Sequence, residues 1–233
     1  MDLILSGLAG AVIRVLTLDP DLVAAASASL AVSGTATLLS ILVGIPLGAA
    51  IGLGRFRGRT LVLSIANTGM GLPPVVVGLF VVVFIWRSGP FGALDAWCTR
   101  ELMIVAQFLL AFPTVVGLTA VAMQSLDPML KVQVAALGAT RTQIAWILIR
   151  EAKLPILTAA MAGFGAVISE IGASMMTGCN IKGDTRILTT AIALEVTGTG
   201  RFDLGFAYAF VLLALIFAVN WITTWAQQRR RPL

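Results

Sequence analysis

The sequence predicts an all-α integral membrane protein, and three observations support this fold class. Of the 233 residues, 58% are hydrophobic and 12% are charged, and the mean hydropathy is +0.98. Soluble domains contain only about 45–50% apolar residues and about 25% charged ones. Five stretches are each long and apolar enough to cross a bilayer as a helix. None of them alternates between apolar and polar residues as a barrel strand does.

The five predicted transmembrane helices form a single transmembrane domain over residues 1–233. Each holds roughly 20 or more mostly apolar residues, which is the length that spans the hydrocarbon core. A helix is the expected conformation because a spanning segment must satisfy its own backbone hydrogen bonds. The spans cover approximately residues 22–53, 61–86, 103–123, 154–176 and 204–225.

The first seventeen residues predict a short N-terminal helix that lies in the membrane interface. Arg14 interrupts the apolar run, and Asp2 stands where a signal peptide carries basic residues, so we do not expect cleavage. Asp19 and Pro20 then predict the N-cap and the first turn of the first span. The apolar residues of the interfacial helix recur at helical spacing: Leu5, Leu8, Val12 and Leu16.

The distribution of lysine and arginine predicts the orientation of the chain. Ten of the sixteen basic residues lie in the first loop, the third loop and the C-terminal tail. Because basic residues concentrate on the cytoplasmic side, we expect a multi-pass protein of the cell inner membrane. Its N-terminus lies outside, and its C-terminus, with Arg229, Arg230 and Arg231, is cytoplasmic. The same bias accounts for the net charge of +5, so we predict contact with the lipid bilayer and no nucleic-acid binding.

Several kinds of catalytic and metal site are excluded by the residue types present. The chain has no histidine, which removes histidine-based metal sites and Ser-His-Asp catalysis. Gly178 and Gly183 have the spacing of a phosphate-binding loop, but Asp184 stands where that loop needs a lysine. We therefore predict no catalytic residue, no metal ion and no bound nucleotide on this chain.

Cys98 and Cys179 are the two cysteines of the chain, and both fall on the predicted outer side. Two separate thiols are the favoured interpretation, because a pair of cysteines does not by itself fix a pairing. A disulfide in the oxidising outer compartment is the alternative.

Gly44, Gly48 and Gly52 repeat at every fourth residue of the first predicted span. Small residues on one helical face let two helices approach closely in a membrane. Packing within one subunit is the favoured interpretation, and a surface at the interface between subunits is the alternative.

The second predicted span is interrupted well inside the membrane by Asn67, Pro73 and Pro74, together with two glycines. Such an interruption is tolerated only where the backbone faces protein or a water-filled cavity. A role in a transport pathway and a structural kink are equally compatible with this pattern.

Glu170 is the one ionisable residue well inside a predicted span. Burying a carboxylate at this depth costs about 2.5–3.5 kcal/mol on insertion scales, so the side chain should face protein and be hydrogen-bonded. A structural role is favoured, and lining of a transport path is the alternative.

The third loop, residues 125–153, carries the most specific pattern. It contains Leu137-Gly138-Ala139-Thr140, then an amphipathic stretch, then Arg150-Glu151-Ala152-Lys153-Leu154-Pro155. This order resembles the cytoplasmic ATPase-docking loop of the permeases of ABC importers, which are driven by ATP. Residues 132–134 read Val-Gln-Val where that pattern has Glu-Ala-Ala, and the proline follows the glycine after seventeen residues instead of thirteen.

This resemblance implies that the third loop couples the membrane helices to an ATPase. Thr140 is placed to cap a short helix that begins at Arg141. Gly138 can adopt a left-handed backbone that sets the angle between two loop helices. Apolar residues between positions 144 and 148 give the short helix a face to bury. The predicted ATPase-coupling residues are Gly138, Ala139, Thr140, Arg141, Ile144 and Trp146.

Three further motifs resemble permeases that import tetrahedral oxyanions. The continuation at residues 182–192 is most similar to tungstate-uptake permeases, and the likeness covers nearly all of the chain after Leu30. Cys179 replaces the glycine of the family pattern. Molybdate and sulfate permeases share parts of these motifs and are the alternative. The motifs are Gly163-Phe164-Gly165, Ser169-Glu170-Ile171-Gly172-Ala173 and Gly178-Cys179-Asn180-Ile181.

The resemblance implies the type I ABC importer permease fold, in which a second copy of the chain completes the pathway. An extracytoplasmic solute-binding protein would deliver the anion, and a cytoplasmic ABC ATPase dimer would hold ATP and Mg²⁺, so this chain itself binds no cofactor. The residues assigned to the translocation pathway or gate are Asn67, Pro73, Pro74, Glu170, Thr177, Asn180, Lys182 and Arg186.

Two alternatives concern the charged residues of this assignment. Lys182 and Arg186 lie on the outer side and are placed to attract an anion, whereas ion pairs with Asp184 or Glu195 are the structural interpretation. A proton-coupled secondary transporter, with Glu170 as the proton carrier, is the less favoured functional class. Such a transporter would be expected to show an inverted repeat, and none is evident in five spans.

Overall fold

A computed structural model describes residues 2–228, and every regular element in that range is helical. Arg229, Arg230 and Arg231, which the orientation prediction used, lie outside the described residues. A 3₁₀ turn at Gly92–Leu94 and a π-helical turn at Leu194–Gly198 supplement the α-helices. The α-helices are α1 Asp2–Leu16, α2 Pro20–Leu53, α3 Arg59–Met70, α4 Pro74–Ile85, α5 Arg100–Gln124, α6 Pro128–Ala136, α7 Arg141–Glu151, α8 Lys153–Ile168, α9 Gly172–Gly178, α10 Leu188–Ala193 and α11 Phe202–Gln228.

Three to five segments of the described chain are long and apolar enough to cross a membrane. The helices α2, α5 and α11 satisfy this length and composition alone. Two bent pairs satisfy it together, namely α3 with α4, which meet at 100°, and α7 with α8, which meet at 72°. A broken helix of this kind has the composition of a span but not its straight course, which is why hydropathy alone treats it as one segment.

The long helices α2 and α5 pack closely along a stripe of glycines. A Cβ atom at Gly48 would lie 2.5 Å from the carbonyl oxygen of Val116, and one at Gly52 would lie 2.6 Å from the Cβ of Met123. Gly44 faces the side chain of Val115 at similarly short range. The favoured interpretation of the stripe, packing within one subunit, is therefore confirmed.

The N-terminal helix α1 packs against the beginning of α11. The Arg14 guanidinium lies 3.1 Å from the Asp19 carboxylate and 3.3 Å from the carboxylate of Asp203. Ala11 is fully buried in a cluster with Leu204 of α11. Asp19 also caps α2, as the sequence predicted, because its carboxylate accepts a hydrogen bond of 2.9 Å from the backbone of Asp21.

The segment that follows α8 differs from the predicted fourth span of residues 154–176. The helix ends at Ile168, the chain turns at residues 169–171, and the short helix α9 continues to Gly178. Residues 188–198, which the sequence placed in an outer loop, are helical instead, and residues 188–191 are buried. The break after α8 does not change the apolar composition, so a hydropathy profile does not reveal it. The position of the break depends on hydrogen bonds from residues distant in sequence.

Candidate functional site

The turn between α6 and α7 has the geometry that its sequence predicts. Gly138 has φ +85°, in the left-handed region that residues with a Cβ atom adopt only at a cost. Thr140 caps α7, since its hydroxyl accepts a hydrogen bond of 3.4 Å from the backbone N–H of Gln143. The Gln143 side chain in return accepts one of 2.8 Å from the backbone N–H of Thr140. This reciprocal capping box fixes where α7 begins.

The helix α7 is anchored to the membrane helices mainly through its buried side chain Leu148. Leu148 is 1% exposed and shares a buried cluster with Ala49 of α2, Met123 of α5 and Ile156 of α8. Ile144 packs at the edge of the same cluster. The buried face is narrower than predicted, because neighbouring apolar side chains point away from it. A displacement of α7 would therefore act on three membrane helices at once.

The opposite side of α7 presents apolar side chains to the exterior. Trp146 is 59% exposed, and Leu137, in the turn that precedes α7, is 87% exposed. The Arg150 guanidinium lies 5.7 Å from the centre of the Trp146 ring, which holds the ring over the helix. We call this the coupling surface; it consists of Leu137, Gly138, Ala139, Gln143, Trp146 and Ile147, which line one surface depression.

The broken segment formed by α3 and α4 lies against α5. Gly69 packs onto Pro113 of α5, where a Cβ atom would approach the proline ring to 2.6 Å. Pro73 caps α4, Pro74 occupies its first turn, and Asn67 is exposed. An apolar groove of about 850 Å³ opens between this segment and the pair of α2 and α5. The structure thus places the predicted break at a sharp turn beside a groove.

Glu170 is buried and hydrogen-bonded, as its position in the sequence predicted. The residue is 8% exposed, and its Oε1 accepts a hydrogen bond of 2.8 Å from the backbone N–H of Ala173. Its carbonyl oxygen accepts another of 2.8 Å from the Thr189 hydroxyl. Glu170 therefore caps α9 and ties it to α10. Thr177, also buried, bonds back to the Ala173 carbonyl at 2.8 Å.

The predicted outer residues Asn180, Lys182 and Arg186 lie close together in the turn between α9 and α10. Asn180 has φ +53°, and its amide donates a 3.4 Å hydrogen bond to the carbonyl of Thr190. Its Oδ1 is buried without a hydrogen-bond partner in residues 2–228. The Thr185 hydroxyl closes the turn by bonding to the Gly178 carbonyl and accepting the Ile181 N–H.

Lys182 and Arg186 both form ion pairs. Arg186 lies 3.5 Å from Glu195, so the structural interpretation is confirmed for this residue. Lys182 pairs with Asp21 at 2.7 Å, whereas Asp184, the expected partner, pairs with Arg100 at 3.0 Å. The Lys182 side chain stays 60% exposed, while the Arg186 side chain is 14% exposed. The Nε of Arg186 finds no hydrogen-bond partner within the described part of the chain.

Cys98 and Cys179 are joined by a disulfide, so the favoured interpretation of two separate thiols was wrong. The pair lies 81 residues apart in sequence, with Cα atoms 5.1 Å apart. The bond was not predicted from the sequence because no residue near either cysteine indicates its partner. The fold brings them together by returning α9 to the start of α5.

A polar stripe on α2 was not predicted from the sequence, and it ties α2 to the segments around the proposed gate. The hydroxyl of Ser29 accepts a 2.8 Å hydrogen bond from the backbone N–H of Leu188, which caps α10. Ser33 reaches the carbonyl of Val167 at 3.4 Å, where α8 approaches its end. Ser29, Ser33 and Thr37 recur every fourth residue, which was the available signal for a face turned toward protein.

The described chain combines helices of membrane-spanning length, a sharp break in one candidate span, and a short helix with an exposed tryptophan. A family model described as binding-protein-dependent transport system inner membrane component matches residues 44–232. The chain belongs to this family, and it is therefore a transport subunit rather than an enzyme.

Two relatives and one solved structure extend this assignment. The chain is 41% identical over 204 residues to a probable anion ABC transporter permease protein of Haloferax volcanii, covering 85% of this chain and 88% of the relative. It is 36% identical over 220 residues to the tungstate uptake system permease protein TupB of Peptoclostridium acidaminophilum, covering 94% and 96%. A structure of the MetNI methionine ABC transporter, in inward facing conformations, superposes with a TM-score of 0.74 at 17% identity, covering 91% and 96%. The fold is therefore that of a type I ABC importer permease, as the resemblance implied.

Proposed function

We propose that this chain is the permease of an ATP-driven importer that carries a tetrahedral oxyanion, with tungstate as the preferred substrate. The proposal that ATP drives transport rests on the helix α7, which is buried at Leu148 and exposed at Trp146. One side of this helix is fixed to three membrane helices, and its other, apolar side is open. Such a helix is suited to transmit motion from a partner protein. The open side of α7, the coupling surface, is the proposed docking site of an ABC ATPase.

The substrate proposal rests on the likeness to a tungstate uptake permease over 94% of the chain. The motifs at residues 163–165, 169–173 and 178–181 support the same substrate class. Molybdate is the second candidate, since molybdate permeases share parts of these motifs. Affinity is expected to reside mainly in a solute-binding protein, so the permease needs only a polar lining to pass the anion.

Two copies of the chain are proposed to form the working transporter. The five spans predicted from the sequence barely enclose a path for a hydrated dianion, whereas a two-fold dimer supplies ten and an axis. The apolar groove beside α3 and α4 leaves a large surface for the second copy or for lipid.

The proposed orientation follows the distribution of basic residues. The N-terminus and the turn after α9 lie outside, α1 lies in the interface, and the C-terminus is cytoplasmic.

The proposed cycle alternates access between the two sides of the membrane. The ATPase dimer holds ATP and Mg²⁺, and its closure moves α7, which pulls on α2, α5 and α8 through the cluster around Leu148. Asn67, Pro73 and Pro74 supply the irregular backbone of the path. Lys182, which is exposed, attracts the anion at the mouth.

The other residues of the proposed pathway act from beside it. Glu170, Thr177 and Asn180 support the gate by holding α9 in position, because their side chains bond to backbone. Arg186 contributes positive potential while paired with Glu195. A carboxylate directly lining the path would repel a dianion, which favours the supporting role for Glu170.

Reconstituted complexes of the permease, its ATPase and its binding protein would test this proposal. We expect ATP-dependent uptake of tungstate to exceed that of molybdate, and both to exceed sulfate and phosphate. Trp146→Ala should lower co-purification of the ATPase, whereas Trp221→Ala, which removes a ring of similar exposure from α11, should not. Sulfate or phosphate uptake at equal or greater efficiency contradicts the substrate. Uptake driven by a pH gradient without ATP contradicts the mechanism.

A further inference from the structure

Two segments far apart in sequence meet at what we call the outer junction, residues 97–100 and 176–184. The indole N–H of Trp97 donates a 3.3 Å hydrogen bond to the carbonyl of Met176, and the backbone N–H of Cys98 donates one of 3.1 Å to the carbonyl of Thr177. Arg100 pairs with Asp184 at 3.0 Å. The Cys98–Cys179 disulfide lies at the centre of these contacts.

Both cysteines occupy backbone positions that are unfavourable for a residue with a side chain. Cys98 has φ +63° and Cys179 has φ +58°, in the left-handed region where glycine is the least costly residue. Local backbone preference therefore does not explain a cysteine at either position. The covalent bond between the two side chains is the property that they share.

We propose that the Cys98–Cys179 disulfide is a covalent modification installed on the extracytoplasmic face, and that it fixes the end of α9 to the start of α5. In its formation the two thiols lose two protons and two electrons. The electrons pass, through a mixed disulfide, to the disulfide of an extracytoplasmic thiol oxidase, which is reduced to a dithiol. Cytosolic thiols are kept reduced, so the bond places residues 98 and 179 on the outer side.

The disulfide completes the attachment of a helix that is only seven residues long. Glu170 holds the first turn of α9 through the backbone of Ala173, and Cys179 is the residue that ends the helix. Between these ends, Gly178 packs onto Met103 of α5, and Gly78 of α4 packs onto Ala173. With both ends attached, α9 moves together with the outer end of α5. The attachment of α9 is the same whichever solute is carried.

The redox state and location of the bond can be tested in membrane vesicles. The chain has two cysteines, so labelling with a maleimide of added mass after denaturation reports both without interference. We expect no adduct in the parent without reductant. A charged, membrane-impermeant phosphine should yield two adducts in right-side-out vesicles and none in inside-out vesicles until detergent is added. Adducts without reductant, or reduction in intact inside-out vesicles, would overturn the proposal.

The mechanical role of the bond can be separated from the cost of the left-handed backbone by glycine substitutions. Cys98→Gly and Cys179→Gly each remove the bond at a position where glycine is the favoured residue. Each should lower the Tm of the purified permease by about 5–15 °C, and the double variant should fall no further, because one bond is lost in every case. Reductant should lower the Tm of the parent at least as far as the glycine substitutions do, because the reduced cysteines keep the cost of the left-handed backbone, and it should leave the variants unchanged. Unchanged Tm values, or effects that add in the double variant, would overturn the role.

Discussion

Gly138 offers a test of the coupling turn in which the perturbation is confined to the backbone. Its φ of +85° lies in the left-handed region, and no atom lies within 4 Å of the position where a Cβ would stand. A substitution there meets no steric clash within the described part of this chain. The cost of an L-residue in this conformation is roughly 1–2 kcal/mol, with β-branched residues at the upper end and asparagine well below it.

A cost of that size changes the population of the native turn by a factor of about 5–30. We therefore expect Gly138→Val to reduce the ATP hydrolysis stimulated by loaded binding protein several-fold, and Gly138→Leu to do the same. The membrane part should remain intact, because the Leu148 cluster does not include Gly138. Gly138→Asn is the matched control, since asparagine adds side-chain bulk but tolerates the left-handed backbone.

The assay compares stimulated ATPase activity and transport for the three variants in the same lipid, after a sizing column has verified assembly. The expected order is parent, then Asn, then Leu and Val. If the Val variant couples hydrolysis to transport as the parent does, the turn geometry is not required for coupling. If Asn is as impaired as Val, the bulk of the side chain is responsible and the backbone argument is wrong.

Two further pairs of substitutions test the membrane part. Gly48→Leu should abolish assembly because a Cβ there would lie 2.5 Å from the Val116 carbonyl oxygen, whereas Gly34→Leu on the same helix, with nothing within 4 Å, should assemble normally on a sizing column; equal behaviour of the two would refute the packing. Glu170→Gln keeps an acceptor for the Ala173 N–H and should transport, whereas Glu170→Leu loses the cap, at a cost of about 0.5–2 kcal/mol, and leaves a buried N–H unpaired, so it should misassemble. Full transport by the leucine variant would show that the cap is dispensable.

The features predicted well from the sequence are those governed by neighbouring residues. Asp19 before Pro20 and Thr140 before Arg141 cap their helices, because a side-chain oxygen there reaches an N–H two or three residues away. The left-handed backbone of Gly138 follows from its place between two short helices. Each of these depends on fewer than about four residues of context, which the sequence contains in full.

The features that the sequence did not reveal depend on contacts across the fold. The end of α8 at Ile168 and the helix at residues 188–198 rely on bonds such as the one between Ser29 and Leu188, 159 residues apart. The disulfide likewise depends on the return of α9 to α5. A hydropathy profile does not reveal these contacts, since residues 154–176 are mostly apolar whether they form one helix or two.

The two parts of the proposed machinery are connected by α5. Its first residue, Arg100, lies beside Cys98 at the outer junction, and its last turn contributes Met123 to the cluster that anchors α7. A helix of 25 residues extends about 37 Å, enough to reach from one face of a bilayer to the other. Pro113, near its middle, cannot donate a backbone hydrogen bond and packs against Gly69 of the broken span. Motion imposed on α7 would therefore reach the outer junction through a helix that has one built-in flexible point, beside the break that is assigned to the pathway.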